Sequence, residues 1–570
     1  MKNEQVIIIC RNRIPAITAK ETFLKRGRVV LSYIKNKLFL KNISKINNVK
    51  KIKERILYNI IAPEWIGFWR FGIFELLNFA LNNNKYVYEP QKDKKFFNPT
   101  GIPTITSLHI YDFLLKKGYS PVNMDNVAEC KDELKAILKN NPLSVAISAT
   151  YFVSPQEIMA IILLIRGLNK SIPIIMGSNV ILTKLTDQGK LLPDYENLLI
   201  DENIYFILEE NGLPSLHKLL EALKKNTDIN LLNNLVYKRK GSINYSRRGA
   251  DPLDLNNDFP DWAKIAGITK DIAFVRASQG CAFRCKFCNF PKATVKIYQR
   301  SMESVRNELR EIKKAGIKNV AFTDDHFAVH PKRIEQICQM MIDEKFYFNW
   351  FAGIRSNSIT EENAILLRES GCKVLCVGLE SGDDRMLKLM DKKTTIADNQ
   401  RCLEILDKNK IIAYGSFMIG FPGETEESIN NTINWINNSP LQLYKIYVFY
   451  MLPGSIIFDE QAEHNVTYFG DKYDYCLWKT PTIDSLSASE KLKEFILRIE
   501  KAGLIYNYSP MYAFFPFYLK GYDNEDIVKF FKIKTELVKN ELSDISWFAK
   551  RKIRQAKLNQ LKLMLKRSGE

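Results

Sequence analysis

IAFVRASQGCAFRCKFC, residues 272–288, decides how this chain is read. Its first four residues, Ile272 to Val275, form an apolar run of the length and β-branched character of a buried strand. The run leads into Cys281, Cys285 and Cys288, three cysteines within eight residues. Three thiolates on one tight loop can hold three corners of a cubane iron–sulfur cluster and leave the fourth iron without a protein ligand. An open metal position of that kind is where a substrate can coordinate. Structural zinc is the competing reading. It needs four ligands, usually as two separated pairs, and no second CxxC exists here; His326 and His330 lie beyond a further helix and strand. Chance clustering of buried thiols fits poorly with Arg284, Lys286 and Asn289 on the same loop.

Towards the carboxyl terminus the strand–helix alternation continues. A helix is expected over 302–314 and a strand over 319–323 ending in Asp324-Asp325-His326. Helix 331–344, strand 348–355, helix 361–370 and strand 374–380 follow. Two helical stretches, 384–390 and 396–409, then lead to strand 411–419, which closes on Gly420-Phe421-Pro422-Gly423. Helix 426–437 and strand 444–451 complete six β/α units in about 180 residues, short of the eight of a closed barrel. Functional groups of such a fold sit at the strand ends. Asp324, Asp325 and His326 are candidates to orient substrate or accept a proton, against the simpler reading of a helix-start acidic pair with a hydrogen-bonded histidine. Tyr447, Tyr450, Tyr473, Tyr475 and Trp478 are candidate pocket walls, although most aromatics in such a run are core.

Towards the amino terminus a second α/β pattern appears. Strands are expected at 5–10, 121–125, 144–149, 172–176 and 204–208, with helices starting near Ile105, Gln156 and Pro214. The pattern predicts a doubly wound, Rossmann-like parallel sheet whose ligand edge lies at the strand carboxyl ends. Those ends carry Gly, Ser, Thr, Asn and Glu. The expected organisation is a Rossmann-like domain over 1–255 with a basic, mostly helical insertion at about 11–98. A partial barrel over 256–470 and a mostly helical region over 471–570 with a basic tail follow.

The 46% hydrophobic and 26% charged composition belongs to a folded globular chain. No apolar run approaches the ~18 residues of a membrane span, and the start of the chain lacks the apolar core and cleavage site of a secretory signal. With ten sparse cysteines, a cytoplasmic location is expected. The net charge of +19 is concentrated: residues 20–55 carry a net +10 and residues 550–567 a net +8. An anionic partner (RNA, a membrane surface or an acidic peptide) would be attracted to both. Solvated helix faces are the plainer reading, because neither segment interleaves aromatics in a recognisable RNA-binding motif.

GCAFRCKFC, with Phe287 before the last cysteine, resembles the signature of radical S-adenosylmethionine (radical SAM) enzymes. VGLESG at 377–382 and IGFPGETEES at 419–428 look like that superfamily's fourth- and fifth-strand motifs. The upstream domain, with PTGIP, NMDN, ISATY and IIMGSN, is similar to the cobalamin-binding domain that precedes the barrel in one subclass. The resemblance implies that Cys281, Cys285 and Cys288 ligate a [4Fe-4S] cluster and that SAM chelates the open iron. Phe287 would pack near the adenine, Glu380 and Ser381 would hydrogen-bond the ribose or methionine part, and Arg355 would pair with the SAM carboxylate. Gly420 would let backbone approach the nucleoside. Cobalamin would dock on Thr150, Tyr151, Gly177, Ser178, Asn179, Glu209, Asn211 and Gly212. No Asp-x-His-x-x-Gly loop follows the first strand, and His109 falls inside a predicted helix, so it reads as a packed or surface histidine rather than a cobalt ligand. Loss of the cofactor from a retained domain is the alternative.

The implied activity is methylation of an unactivated carbon, or less often phosphorus, through a 5′-deoxyadenosyl radical and methylcobalamin. A small-molecule or peptide substrate and an external flavodoxin- or ferredoxin-type electron donor are the implied partners. Cobalamin-dependent cyclisation, ring contraction or oxidation shares every motif named. A tRNA-modifying radical SAM enzyme would suit the basic segments, but no upstream cysteine trio for a second cluster is present, so nucleic acid is not the favoured partner.

Overall fold

In the computed structural model the apolar run before the cysteines is a fully buried strand, and the alternation around it resolves into two parallel sheets. The structure describes residues 4–10, 73–82, 96–97, 104–124, 127, 130–152, 155–186, 188–209, 211–249, 254–269, 271–290, 297–469, 477–505 and 510–567. The basic segment 20–55, Tyr473, Tyr475 and Cys476 lie outside the described residues.

The first sheet has seven strands: β1 (Gln5–Ile9), β2 (Ser120–Asn123), β3 (Ser144–Ser148), β4 (Ile174–Gly177), β5 (Ile204–Ile207), β6 (Leu235–Arg239) and β7 (Ser242–Tyr245), in the order β2-β1-β3-β4-β5-β6-β7. The first five pair in parallel, as the buried β-branched runs predict. The last two add an antiparallel hairpin that the sequence reading did not include. Its turn places Lys240 and Gly241 at φ +49° and +80°, a pair of left-handed residues suited to a tight hairpin. Of the helices packed on this sheet, two matter below: α2 (Ile105–Lys116) and α5 (Leu213–Lys225). The expected insertion contributes α1 (Ile73–Leu81). Helix α3 (Lys131–Lys139) was not anticipated, and α4 (Pro155–Leu168) matches its predicted span closely.

The second sheet runs β14-β13-β12-β11-β10-β9-β8, all parallel. The strands are β8 (Ile272–Val275), β9 (Asn319–Phe322), β10 (Asn349–Ile354), β11 (Cys372–Glu380), β12 (Ile412–Ile419), β13 (Leu443–Val448) and β14 (Gly503–Leu504). Six are the predicted barrel strands. The two-residue β14 comes from the stretch expected to be helical. The helices begin where the caps say they should: Thr360, Thr395 and Thr425 each close a capping box with the residue three places on.

The barrel core extends into the carboxyl-terminal helices. Phe495, Phe514, Phe517, Phe530 and Phe531 belong to the same buried cluster as the barrel strands, and so do Phe74 and Leu77 of α1. The two sheets are stitched through α2. Lys116 Nζ donates to the Phe259 carbonyl at 2.8 Å, and the Asp261 amide donates to Asp112 at 2.9 Å. This contact turns the carboxyl edge of the first sheet towards the mouth of the second.

Candidate active site

The cysteine loop leaves β8 through backbone that two carboxylates hold. Asp324, just past β9, accepts from the Ala277 amide (3.2 Å) and the Ser278 hydroxyl (2.5 Å). Asp325 accepts from the Gly280 amide (2.7 Å). Gly280 itself sits at φ +89°, a conformation that favours glycine. Within the loop the Cys288 amide turns back onto the Cys285 carbonyl, Lys286 N–H donates to the Met390 carbonyl, and the Lys286 ammonium meets Glu460 at 2.6 Å. The predicted acid–base candidates Asp324 and Asp325 thus both hold the segment that leads into the cysteines, Asp324 through both oxygens and Asp325 through one, with Asp325 also lining the cavity described below. Burial lifts the Asp324 carboxyl to about 6 against the hydrogen bonds it accepts.

Cys285 is buried, and Cys281 and Cys288 are half-buried. Burial pushes the Cys281 thiol up and the Cys288 thiol to about 12, while the Arg355 charge pulls Cys281 back. Burial alone does this to any thiol, so it is the closeness of the three sulfurs on one loop, and not their titration, that suits ligation of an iron cluster. Among the described residues no group of three His, Cys, Asp or Glu side chains could hold a single metal ion.

Arg355, at the end of β10, reaches this loop. Its Nη1 lies 3.3 Å from Cys285 Sγ and its guanidinium carbon 3.7 Å from the Phe283 ring centroid. Nε and Nη2 are buried with no hydrogen-bond partner. Two orphaned donors on one planar fork fit a carboxylate, which is what the SAM methionine would present.

Glu380 ends β11 at φ +63°, a left-handed conformation that costs a branched or long side chain energy. Its carboxylate meets Lys392 Nζ at 2.8 Å with both side chains nearly buried. The Lys392 ammonium also sits 5.7 Å from the Phe287 ring centroid, on the cysteine loop. A Cβ on Gly378 would lie 2.8 Å from both charged atoms, which gives the first glycine of VGLESG its reason. Lys392 was missed in the sequence, where it reads as one surface lysine of Asp391-Lys392-Lys393. Ser381 pairs with Thr432 Oγ1 at 3.1 Å and so clips the strand end to the helix Glu426–Asn438 that follows β12.

Gly420 has φ +96°, and its missing side chain leaves room filled by Trp478 and Ala488; its amide donates to the buried Glu424 carboxyl. Trp478 donates to the Phe449 carbonyl at 2.8 Å and is core. His326 is buried, shares a 3.1 Å hydrogen bond with Ser358 through Nε2, and stands edge-on to Phe283. Burial and the Arg355 charge pull its imidazole down to about 4. It is therefore neutral, with Nδ1 unpartnered. Tyr450 lies two residues past β13, half-buried.

Between the two sheets lies a cavity of about 420 Å³. Its sheet side is made by Ser148, Thr150, Gly177, Ser178, Asn211 and Gly212. Its barrel side is made by Gln279, Asn289, Phe290, Thr323 and Asp325. An apolar floor of Ile110, Ala146, Ile175, Ile207 and Leu216 runs between α2 and α5. The Ser178 hydroxyl is buried there without a partner, an acceptor and donor awaiting a polar ligand. Five of the eight candidate cobalamin residues meet in this cavity. Glu209 does not: its carboxylate accepts from the Ser215 hydroxyl at 2.5 Å, at the start of α5. The side chains of Tyr151 and Asn179 lie outside the described residues. His109 also lines the cavity, packed against the Phe274 backbone and pulled down to about 3 by burial and by Arg276.

Residues 275–436 match the Radical SAM superfamily. The barrel is a radical SAM domain. An uncharacterized methyltransferase of Pyrococcus horikoshii is 28% identical over 272 residues, covering 46% of this chain and 58% of that protein. The bacteriochlorophyllide d C-12(1)-methyltransferase of Chlorobaculum tepidum is 29% identical over 206 residues, 35% of this chain and 45% of that one. The chain thus spans about half the length of the curated relatives it matches. In fold, it is similar to the radical SAM methyltransferase TsrM of Kitasatospora setae, solved with cobalamin and a [4Fe-4S] cluster bound. The TM-score is 0.57 at 15% identity, over 82% of this chain and 98% of that one. The similarity extends well beyond the radical SAM domain, across the α/β layer that precedes it.

Proposed function

We propose that this protein is a cobalamin-dependent radical SAM methyltransferase acting on an unactivated carbon or phosphorus centre. One observation carries the reading: the ligand edge of the first sheet, with its orphaned Ser178 hydroxyl, shares one cavity with residues flanking the cysteine loop. When bound, the [4Fe-4S] cluster and SAM supply a radical able to abstract hydrogen, and cobalamin supplies the methyl group.

The chain's own residues do the rest. Cys281, Cys285 and Cys288 would hold the cluster, on a loop that Asp324 and Asp325 fix by its backbone. Arg355 would present Nε and Nη2 to the SAM carboxylate, its plane set by stacking on Phe283. Glu380 and Lys392 would place one carboxylate and one ammonium beside the nucleoside, neutralising each other until SAM arrives. Ser178 and the backbone at Gly177 and Gly212 would cradle cobalamin over the apolar floor. His326, neutral and buried beside Phe283 of the cysteine loop with Nδ1 unpartnered, would be a candidate to accept a hydrogen bond or proton there.

The test is anaerobic reconstitution followed by metal and product analysis. The expected result is about four irons and one cobalt per chain, with S-adenosylhomocysteine and 5′-deoxyadenosine both released. Release of 5′-deoxyadenosine alone in the presence of substrate would replace methyl transfer by rearrangement or oxidation. Failure to retain cobalt would remove cobalamin from the reading.

A further inference from the structure

Residues 550–567, which carry a net +8, lie in the last helix, α16 (Trp547–Arg567), which packs against α1. Nothing in the proposed chemistry uses this basic character.

Helix α16 sorts its cations. Lys550, Arg554 and Lys557 turn towards α15 (Asn524–Leu542), where Lys550 bonds the Glu541 carbonyl, Arg554 meets the Glu541 carboxylate and Lys557 meets Glu536. Arg551, Lys552 and Lys562 have no acidic partner among the described residues. The Arg551 guanidinium instead lies 5.5 Å from the Trp547 ring centroid. Beside these cations stand apolar side chains with no cover: Trp547 is 61% exposed, Phe548 77%, and Ile545 and Leu563 are exposed as well. Trp547 and Phe548 pack edge to face with centroids 5.2 Å apart, so they form one protruding aromatic unit at the start of the helix.

We infer that the amino-terminal end of α16 docks onto an anionic lipid bilayer. The chemistry is that of an aromatic anchor beside cations: indole and phenyl groups enter the boundary between headgroups and acyl chains while arginine and lysine meet lipid phosphates. RNA would also attract the cations, but the exposed aliphatic side chain of Ile545 offers nothing to a stacked base or a phosphate. Lipid takes all of them. Among the described residues no helix is long and apolar enough to cross a membrane, so the attachment is peripheral.

The test uses the full chain in co-sedimentation with vesicles of phosphatidylcholine alone and of phosphatidylcholine in which about one lipid in three is phosphatidylglycerol. Binding should require the anionic lipid and weaken as salt rises. Arg551→Ala/Lys552→Ala should lower the partition coefficient on the order of twenty-fold at low salt, and Trp547→Ser/Phe548→Ser should lower it comparably while leaving iron loading unchanged. Brominated lipid should quench the wild-type emission more than that of Trp547→Phe. Equal sedimentation with neutral and anionic vesicles would overturn the inference. So would an aromatic variant that still sediments, or one whose only change is from dimer to monomer in velocity sedimentation. RNA binding without vesicle binding would overturn it too.

Discussion

Glu424 is a carboxyl group in the wrong place for a charge. It is 2% exposed, accepts the Gly420 amide, and has Asp383 as a neighbouring carboxylate with only Arg385 in partial compensation. Burial, far ahead of the Asp383 repulsion, lifts its pKa from 4.5 to about 8. Between those values the folded chain holds a proton that the unfolded chain has lost, so stability falls as pH rises, by about 1.36 kcal/mol per pH unit. Below pH 4.5 both states are protonated and the group is neutral in the balance. Above pH 8 the full penalty, on the order of 4 kcal/mol, is present. Glu424→Gln keeps an oxygen for the Gly420 amide and abolishes the titration. The variant should match wild type near pH 4.5 and exceed it progressively, reaching a gap on the order of 4 kcal/mol by pH 9. Urea denaturation of the apoprotein at pH 5, 7 and 9 measures this directly. A gap that stays constant with pH, or a variant less stable than wild type at pH 9, would refute the assignment of a neutral buried acid at this strand end.

Three further outcomes follow from the site. Glu380→Gln and Lys392→Met should each cost about 3–5 kcal/mol, because either leaves a buried charge alone, while the double variant should recover most of that loss; a thermal or urea double-mutant cycle reads the coupling, and strict additivity would deny the pair. Ser178→Ala should stabilise the apoprotein by about 1 kcal/mol by removing an unsatisfied buried hydroxyl, yet weaken cobalamin uptake several-fold without altering iron content. Opposite signs in the two measurements are the signature, and a loss in both would make Ser178 merely structural. Asp325→Ala should strip the Gly280 amide of its acceptor and lower iron retained per chain, with Asp325→Asn keeping most of it; iron content against thermal stability separates loop loosening from global damage.

Most of the barrel was legible because its signals are local. Buried parallel strands are short unbroken apolar runs, and Thr360, Thr395 and Thr425 announce the helices that follow with a partner three residues on. Strand ends accordingly fell within one to three residues of the observed ones. The hairpin β6–β7 had a signal too: the apolar run Leu235-Val236-Tyr237 and the alternating Ile243 and Tyr245 flank Lys240-Gly241, whose paired positive φ values make a tight turn. It was passed over because the surrounding α/β alternation suggested more of the same. β14 had none. Two residues cannot show a period, and Gly503–Leu504 is a strand only because β13 offers an edge to pair with.

The site divides along the same line. Three cysteines in eight residues declare themselves, because ligation by one loop needs short spacing. The groups that reach that loop were named as candidates, but their contacts with it were not legible, since each acts across a fold-length separation: Arg355 reaches Cys285 from seventy residues away, and the carboxylates that bond Ala277, Ser278 and Gly280 come from beyond α7 (Met302–Lys314). Asp324 and Asp325 illustrate the consequence. Acids at a barrel mouth suggest proton transfer from sequence alone, and the structure adds hydrogen bonds that Asp324 accepts from the Ala277 amide and the Ser278 hydroxyl and that Asp325 accepts from the Gly280 amide. A carboxylate pair that freezes the backbone limits how far the sulfurs can move when the loop gains or loses a charge. Loss of either acid should therefore register in metal content before it registers in proton chemistry. His326 makes the converse case. Its Nε2 is tied to Ser358 and burial keeps the ring neutral, so Nδ1, buried and unpartnered, is the ring atom left to make a further hydrogen bond.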